Sequence, residues 1–445
     1  MKDLTKGPIA GHLLQFASFI ALTTAFQTLY LLVDLYFVGW LGKEAIAGVG
    51  LAGNLTIIVL ALTQSLGVGA TALVAHAMGA QDRPRAGVVF NQAFVMCTLT
   101  GLAFGLVAFT SRGAYIRSLA ADAATADQGI RYLTWFIPAM TLQFGLVALG
   151  SALRGIGDMK IPTMIQVSTV LINIVLAPVL TVGWLTGHPL GVTGAALASL
   201  IAIACGLVAY VLYFNRASSP IRFRPDEWRP QFPLWRQMLG IGLPAGGEFA
   251  LLALYIALVY NILQGFGSAA QAGFGVGVRL MQSLFLPAVA IGFATAPVVG
   301  QNFGAREAHR VRQAFLVAIA MSSVVMVLMT VICQLAPDRL VHAFSSDPSV
   351  VRYGAEYLRI VSWNFVATGI IFVGSSSLQG IGNSRPALFA SLLRLMVFAL
   401  PAVWMSHQPG FEIRYVWYLS LASVFAHAVL MLWLVRRQFA QRLRW

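Results

Sequence analysis

Long apolar stretches, each interrupted by a few polar or glycine positions, alternate with short charged connections along the whole chain. A hydrocarbon core about 30 Å thick needs roughly 20 helical residues to cross it. The runs reach that length again and again. The pattern predicts twelve helices, over approximately 11–41, 46–78, 87–110, 129–153, 161–186, 192–215, 238–264, 271–301, 311–335, 354–378, 386–406 and 413–435. The expected fold class is an all-α polytopic membrane protein.

The text repeats. A shift of 225 residues places Gly42 on Gly267, Ala47-Gly48 on Ala272-Gly273, Gly79-Ala80 on Gly304-Ala305 and Asp122 on Asp347. The same shift places Tyr132-Leu133 on Tyr357-Leu358 and Leu153-Arg-Gly-Ile-Gly157 on Leu378-Gln-Gly-Ile-Gly382. A register held through loops as well as apolar runs is not chance matching. Each half has six spans, an even number, so the halves share an orientation and are related by a pseudo-two-fold axis along the membrane normal. The expected domains are an N-terminal six-helix lobe over 1–215, a basic linker over 216–237 and a C-terminal six-helix lobe over 238–445.

Composition agrees with the helical pattern: 58% of the 445 residues are hydrophobic and 10% charged, against about a quarter charged in soluble domains. The net charge of +14 does not point to nucleic acid, because the basic residues lie in connections and not on one face or tail. Most of the 29 Lys and Arg fall in connections on the side of the N-terminus, so both termini are expected in the cytoplasm. The densest group, Arg216, Arg222, Arg224, Arg229 and Arg236, is interrupted by Pro220, Pro225, Pro230 and Pro233 and reads as a solvated linker. Lys2 and Lys6 precede a long apolar run with no small-residue cleavage site, so the first helix is expected to stay uncleaved. Cys97, Cys205 and Cys333 are isolated in apolar text and read as small buried residues without disulfide or zinc.

Three passages resemble the multidrug and toxic compound extrusion (MATE) family: Val33-Asp-Leu-Tyr-Phe-Val-Gly39 with Leu41-Gly42, Gly79-Ala-Gln-Asp82, and Leu153-Arg-Gly-Ile-Gly-Asp158. The likeness extends over essentially all twelve spans. It implies a V-shaped, two-lobed secondary transporter in a bacterial inner membrane, expelling small amphipathic, often cationic molecules in exchange for protons or sodium ions. A monomer among membrane lipids is expected, with no cofactor besides the coupling ion. The resemblance also makes Asp34 the cation-binding carboxylate, joined by Asn173 in the fifth helix and Ser199 in the sixth. Some members carry a second acid four residues after that asparagine, where this chain has Ala177. A hard cation wants several oxygen ligands and charge compensation, so protons are preferred to sodium, which stays open at Asp34.

Four ionisable residues besides histidines lie at membrane depth: Asp34, Glu248, Arg279 and Arg394. Each costs about 2.5–3.5 kcal/mol or more at a helix centre, so each is a functional candidate. Asn173 and Ser199 serve equally well as interhelical hydrogen-bonding residues. Glu248 resembles an acid that many members carry in the seventh helix, about one turn early, and Thr368 stands where some carry an acid in the tenth. Glu248 and Arg279 are placed to form an internal ion pair, or Glu248 faces the cleft and attracts cations. Arg394 is expected to snorkel to the head groups. Possible cleft-lining residues are Gln27, Tyr30, Phe37, Tyr255, Met281, Phe285 and Trp363, since aromatic faces and Met bind flat cations without demanding one shape. Pro138, Pro178, Pro244, Pro287, Pro297 and Pro401 lie inside spans, where bends are expected.

The competing functions are weaker. No clustered His, Asp, Glu, Ser or Cys at helical spacing suggests an enzyme, and His76 and His427 read as satisfied core or helix-end residues. There is no filter loop and no Gly-x-x-x-x-Gly-Lys-Ser/Thr loop for ATP. A lipid-linked precursor flippase and an exporter of one endogenous metabolite remain as alternatives.

Overall fold

The structure, a computed structural model, describes residues 3–216 and 221–444 apart from the side chains of Leu31 and Leu35. Lys2 and Pro220 fall outside the described residues, as does part of the expected linker. Helices account for nearly all of it: α1 (Ile9–Gly39), α2 (Lys43–Gly79), α3 (Arg83–Leu119), α4 (Ala123–Ile156), α5 (Lys160–Thr181), α6 (Val192–Phe214), α7 (Phe232–Leu263), α8 (Ser268–Gly304), α9 (Ala308–Leu335), α10 (Pro337–His342), α11 (Pro348–Val361), α12 (Asn364–Gly380), α13 (Arg385–Ser406) and α14 (Ile413–Arg442). In hydrocarbon every backbone polar group must be satisfied within the protein, which helices do locally.

Eleven of these helices are long and apolar enough to cross a membrane. The twelfth expected span, 354–378, is not one straight helix. It is the pair α11 and α12, bent by 59° at Ser362-Trp363. Neighbouring side chains take up the carbonyls this bend frees: Thr330 Oγ1 donates to Ser362 O (3.1 Å) and Gln334 Nε2 to Arg359 O (2.7 Å). The equivalent point in α4 is Pro138, and α4 runs on through it. Pro178, Pro244, Pro287, Pro297 and Pro401 likewise lie inside continuous helices.

The repeat has a physical basis in turns and contacts. Asp122 caps α4 by accepting from Thr125 N (2.7 Å), and Asp347 caps α11 by accepting from Ser349 N (2.8 Å). That N–H holds the Asp122 carboxyl below the ordinary carboxylate range, as a hydrogen bond to the charged form does. Gly42 and Gly267 adopt φ of 103° and 87°, values open mainly to glycine. A Cβ on Gly48 would sit 2.7 Å from Gly129 N, and one on Gly273 2.9 Å from Gly354 N, so the same pair of helices touches backbone to backbone in each half. The register does shift once. The α5–α6 connection runs over 182–191 and its counterpart over 407–412, so the last helix of each half is related by 221 residues instead of 225.

The chain forms two compact units, one containing 22–242 and the other 3–21 with 243–445. Each has its own apolar core, the first built mainly from α2, α3, α4 and α6, the second from α8, α9, α11, α12 and α14. The segment before α1 is held in the second unit: Leu4 N donates to Gln301 Oε1 (3.2 Å), Asn302 Nδ2 donates to Leu4 O (3.1 Å), and Arg310 reaches Gly7 O (3.0 Å). The segment before α7 is held in the first unit by two fully buried amides on α3. Asn91 donates to Arg222 O and Glu227 Oε2 and accepts from Arg224 N and Trp228 Nε1. Gln92 donates to Glu227 O and Arg229 O and accepts from Gln231 N and Trp235 Nε1. The first turns of α7 then press on α2, where a Cβ at Gly242 would run into Ser65 O. The described part of the arginine-rich linker is therefore fastened to α3.

Cys97 and Cys333 are buried as expected, whereas Cys205 is exposed on α6, because apolar text at a lipid-facing position does not require burial inside the protein.

Each hydrogen bond in the α3 clasp is worth about 1 kcal/mol net, and more if a partner is stranded. The double variant Asn91→Ala/Gln92→Ala should become at least about tenfold more sensitive to trypsin at Arg222, the arginine of the clasped segment that is not followed by proline. Limited proteolysis of the purified protein, with fragments identified by mass, measures this.

Candidate functional site

Asp34 lies in the last third of α1 and is 8% exposed; its Oδ1 is enclosed and has no hydrogen-bond partner among the described residues. One turn earlier on the same helix, the Tyr30 hydroxyl meets Ser199 Oγ on α6 at 2.8 Å. Ser199 Oγ also accepts from Asn173 Nδ2 on α5 (3.3 Å) and donates to Ala195 O (3.2 Å). A serine hydroxyl has one proton and two lone pairs, so Tyr30 is the donor to Ser199, whose capacity is then complete. Three of the residues predicted for cation coupling and cleft lining, Tyr30, Asn173 and Ser199, therefore form one network, with Asp34 beside it. Ser199 orients its neighbours and has no lone pair left to offer an ion. In the first unit, the buried side-chain oxygens without hydrogen-bond partners among the described residues are Asp34 Oδ1, Asn173 Oδ1 and Thr181 Oγ1.

Beside this network is a cavity of about 230 Å³ enclosed by α1, α2, α4, α5 and α6. Gln27, Tyr30, Thr63, Gln143, Gln166 and Ser199 supply much of its polar lining, and Phe136, Met140 and Val170 part of its apolar wall. Gln27 and Tyr30 were legible as lining residues. Gln143 and Gln166 were not, since uncharged amides inside apolar runs resemble packing residues.

The other predicted lining positions lie elsewhere. Phe37 packs in an aromatic group with Tyr36, Trp40 and Trp184. Tyr255, Met281 and Phe285 pack against the core of the second unit. Trp363 is 56% exposed at the α11–α12 break. Glu248 sits midway along α7, because that helix begins at Phe232 and not near 238. Its Oε1 accepts from Ser375 Oγ (2.7 Å), which in turn accepts from Gln379 Nε2 (3.1 Å). Arg279 is exposed, and no ion pair joins it to Glu248 among the described residues. Arg394 does not snorkel: its guanidinium carbon lies 5.0 Å from the centre of the Tyr255 ring inside the second unit. His427 is buried, and neither ring nitrogen has a partner among the described residues, so it is not a satisfied core histidine.

A larger cavity of about 930 Å³ opens where α10, α11 and the start of α14 meet. Its charges are largely paired with one another, Arg359 with Asp338 (2.5 Å) and Arg414 with Glu356, as befits a solvated end of the bundle.

Apolar helices in two matching sets, with a carboxylate inside one of them that has no ion-pair partner among the described residues, define a multi-pass membrane protein of the secondary-transporter class. The MatE family model matches residues 20–179 and 244–405, and the chain belongs to that family of multidrug efflux transporters. The chain is 24% identical over 419 residues to the probable multidrug resistance protein YoeA of Bacillus subtilis, covering 93% of this chain and 90% of the relative. It is 25% identical over 374 residues to the FAD transporter of Shewanella oneidensis, covering 83% and 82%. Among solved structures, a MATE protein crystallised in a bent conformation superposes with a TM-score of 0.92 at 21% identity, covering 99% of this chain and 97% of the other.

Replacing Ser199 by Ala would strand the Tyr30 hydroxyl and one Asn173 N–H, at a cost of about 1–3 kcal/mol. Thermal denaturation of the purified variant should show a lower midpoint, while Ser111→Ala, on an exposed turn of α3, should leave the midpoint unchanged.

Proposed function

We propose that this protein is a proton-coupled antiporter that exports small amphipathic molecules, cationic ones among them, by alternating access of its two halves. The observation that carries the reading is the Asp34 carboxylate, enclosed in the first unit, with Oδ1 unpartnered among the described residues and no ion pair to a cation among them. A carboxylate away from water must be neutralised by a proton or a cation. Proton coupling is favoured over sodium because, in the first unit and among the described residues, the buried oxygens without partners number few and Asp34 is the acid among their owners, whereas a hard cation wants a fuller oxygen shell. The adjoining cavity, with glutamine amides, a tyrosine and apolar side chains, suits a molecule with an apolar body and a few polar groups. Proton and substrate then compete for one charge: protonation of Asp34 removes the attraction for a cation, and loss of the proton restores it.

The second reading is export of one particular metabolite, favoured by the likeness to a relative that carries FAD. In both readings the setting is a bacterial inner membrane, the termini are cytoplasmic, and the protein acts as a monomer with no activity as an enzyme.

Reconstituted protein should move a fluorescent cationic dye outward under an imposed pH gradient. Asp34→Asn should reduce that flux at least about tenfold, since an amide cannot carry the proton. Flux driven by sodium alone, or flux unaffected by Asp34→Asn, would overturn the proposal.

A further inference from the structure

The two halves share a scaffold but differ in the charge they place inside it. The 225-residue relation puts Tyr255 on Tyr30, and the bridge is kept: Tyr255 hydroxyl meets Ser420 Oγ at 2.8 Å, as Tyr30 meets Ser199 at 2.8 Å. Both bridges join the first helix of a half to its last. Around the bridge the chemistry changes. Asp34 is replaced by Val259 and Asn173 by Phe398, both fully buried. Thr169, which lines the first unit's cavity, is replaced by Arg394.

Arg394 is on the inward stripe of α13, in step with the buried residues Ala387, Ala390, Phe398 and Ala402. Its Nε is enclosed with no hydrogen-bond partner, and no ion pair reaches it among the described residues. Glu248 is engaged by Ser375 instead. The inward face of α14 adds further nitrogens without partners. Among the described residues, His427, 4% exposed, has neither ring nitrogen bonded, and Trp417, 1% exposed, has its Nε1–H without a partner. Trp417, Ser420 and His427 follow one another at helical spacing on one face, and Ser420 holds the tyrosine over whose ring the guanidinium lies. Arg394 is half-buried, and a cation drawn partly out of water without a counter-charge is disfavoured unless something anionic completes it.

We propose that the second unit contains an anion-binding subsite, in which the Arg394 guanidinium, with His427 near it on α14, takes the carboxylate or phosphate of an amphipathic solute. Guanidinium presents a planar fork that matches either oxyanion, and the Tyr255 ring beneath it supplies an apolar face for the rest of the molecule. The subsite extends the export reading above to molecules that carry a negative group, zwitterions included, with the acid of one half and the base of the other serving opposite ends of the substrate range.

The test is equilibrium binding of 2-naphthoate and of 2-naphthylmethylammonium, a cation of similar size, to the purified full chain in an uncharged detergent. Naphthoate should bind the wild type at least about tenfold more tightly than Arg394→Met, with Arg394→Lys in between. The ammonium should show no such dependence. Arg394→Met removes a half-buried cation with no ion-pair partner among the described residues, so without ligand it should melt no lower than the wild type; loss of binding is then not loss of fold. Equal naphthoate affinity in the wild type and Arg394→Met would overturn the proposal. So would a lowered melting temperature in Arg394→Met together with no naphthoate binding to wild type or Arg394→Lys, which would make the arginine structural. Arg394-dependent binding of dihexanoyl phosphatidylglycerol without binding of naphthoate would overturn it in favour of a lipid head group. These measurements need no ion gradient, so their failure is distinct from failure of the Asp34 flux experiment.

Discussion

A charge held out of water without an opposite charge beside it is the constraint on which the interior of this protein turns. Coulomb attraction and desolvation both grow as the dielectric falls, so such a group either finds a partner in the fold or is completed by something that comes and goes. Asp34 has no ion-pair partner among the described residues, although the fold orders everything near it. Ser199 spends its one proton and both lone pairs on Ala195, Tyr30 and Asn173, which fixes α1, α5 and α6 against one another around the carboxylate. On the proposed mechanism the rigidity of that frame keeps the acid from acquiring a permanent partner, so the proton and the substrate remain its only available ones.

The internal repeat separates what the backbone demands from what the chemistry selects. Positions kept between the halves are those where geometry leaves little choice: the turn glycines Gly42 and Gly267, the helix caps Asp122 and Asp347, the backbone contacts of Gly48 with Gly129 and Gly273 with Gly354. Positions that differ are interior side chains on which the helices place no such demand. Asp34 and Val259, Asn173 and Phe398, Thr169 and Arg394 each occupy equivalent places on equivalent helices. At these particular places the scaffold carries an acid, Asp34, in one half and a base, Arg394, in the other.

The fold was legible to the extent that it depends on hydropathy length and on turn geometry. Apolar runs show where helices lie, and glycines and caps at constant spacing reveal two equal halves. The break at Ser362-Trp363 was hidden because no proline marks it; the side chains that make it tolerable, Thr330 and Gln334, are on another helix. The clasp of the linker was hidden for the same reason, since Asn91 and Gln92 reach partners more than a hundred residues away. Within the site, Asp34, Tyr30, Asn173 and Ser199 could be named in advance because charge and hydroxyls at membrane depth stand out against apolar text. The surroundings of Arg394 and His427 could not, because whether an intramembrane cation snorkels, pairs or stays alone is decided by helices distant in sequence.

The central claim is that one proton and one cationic substrate share Asp34. The most direct measurement is proton release on binding: a cationic dye is titrated into purified protein in a weakly buffered solution, and the protons appearing per dye bound are counted. The account predicts about one proton released per dye in the wild type and none in Asp34→Asn. Dye binding with no proton released by the wild type, or equal release by wild type and variant, would contradict it.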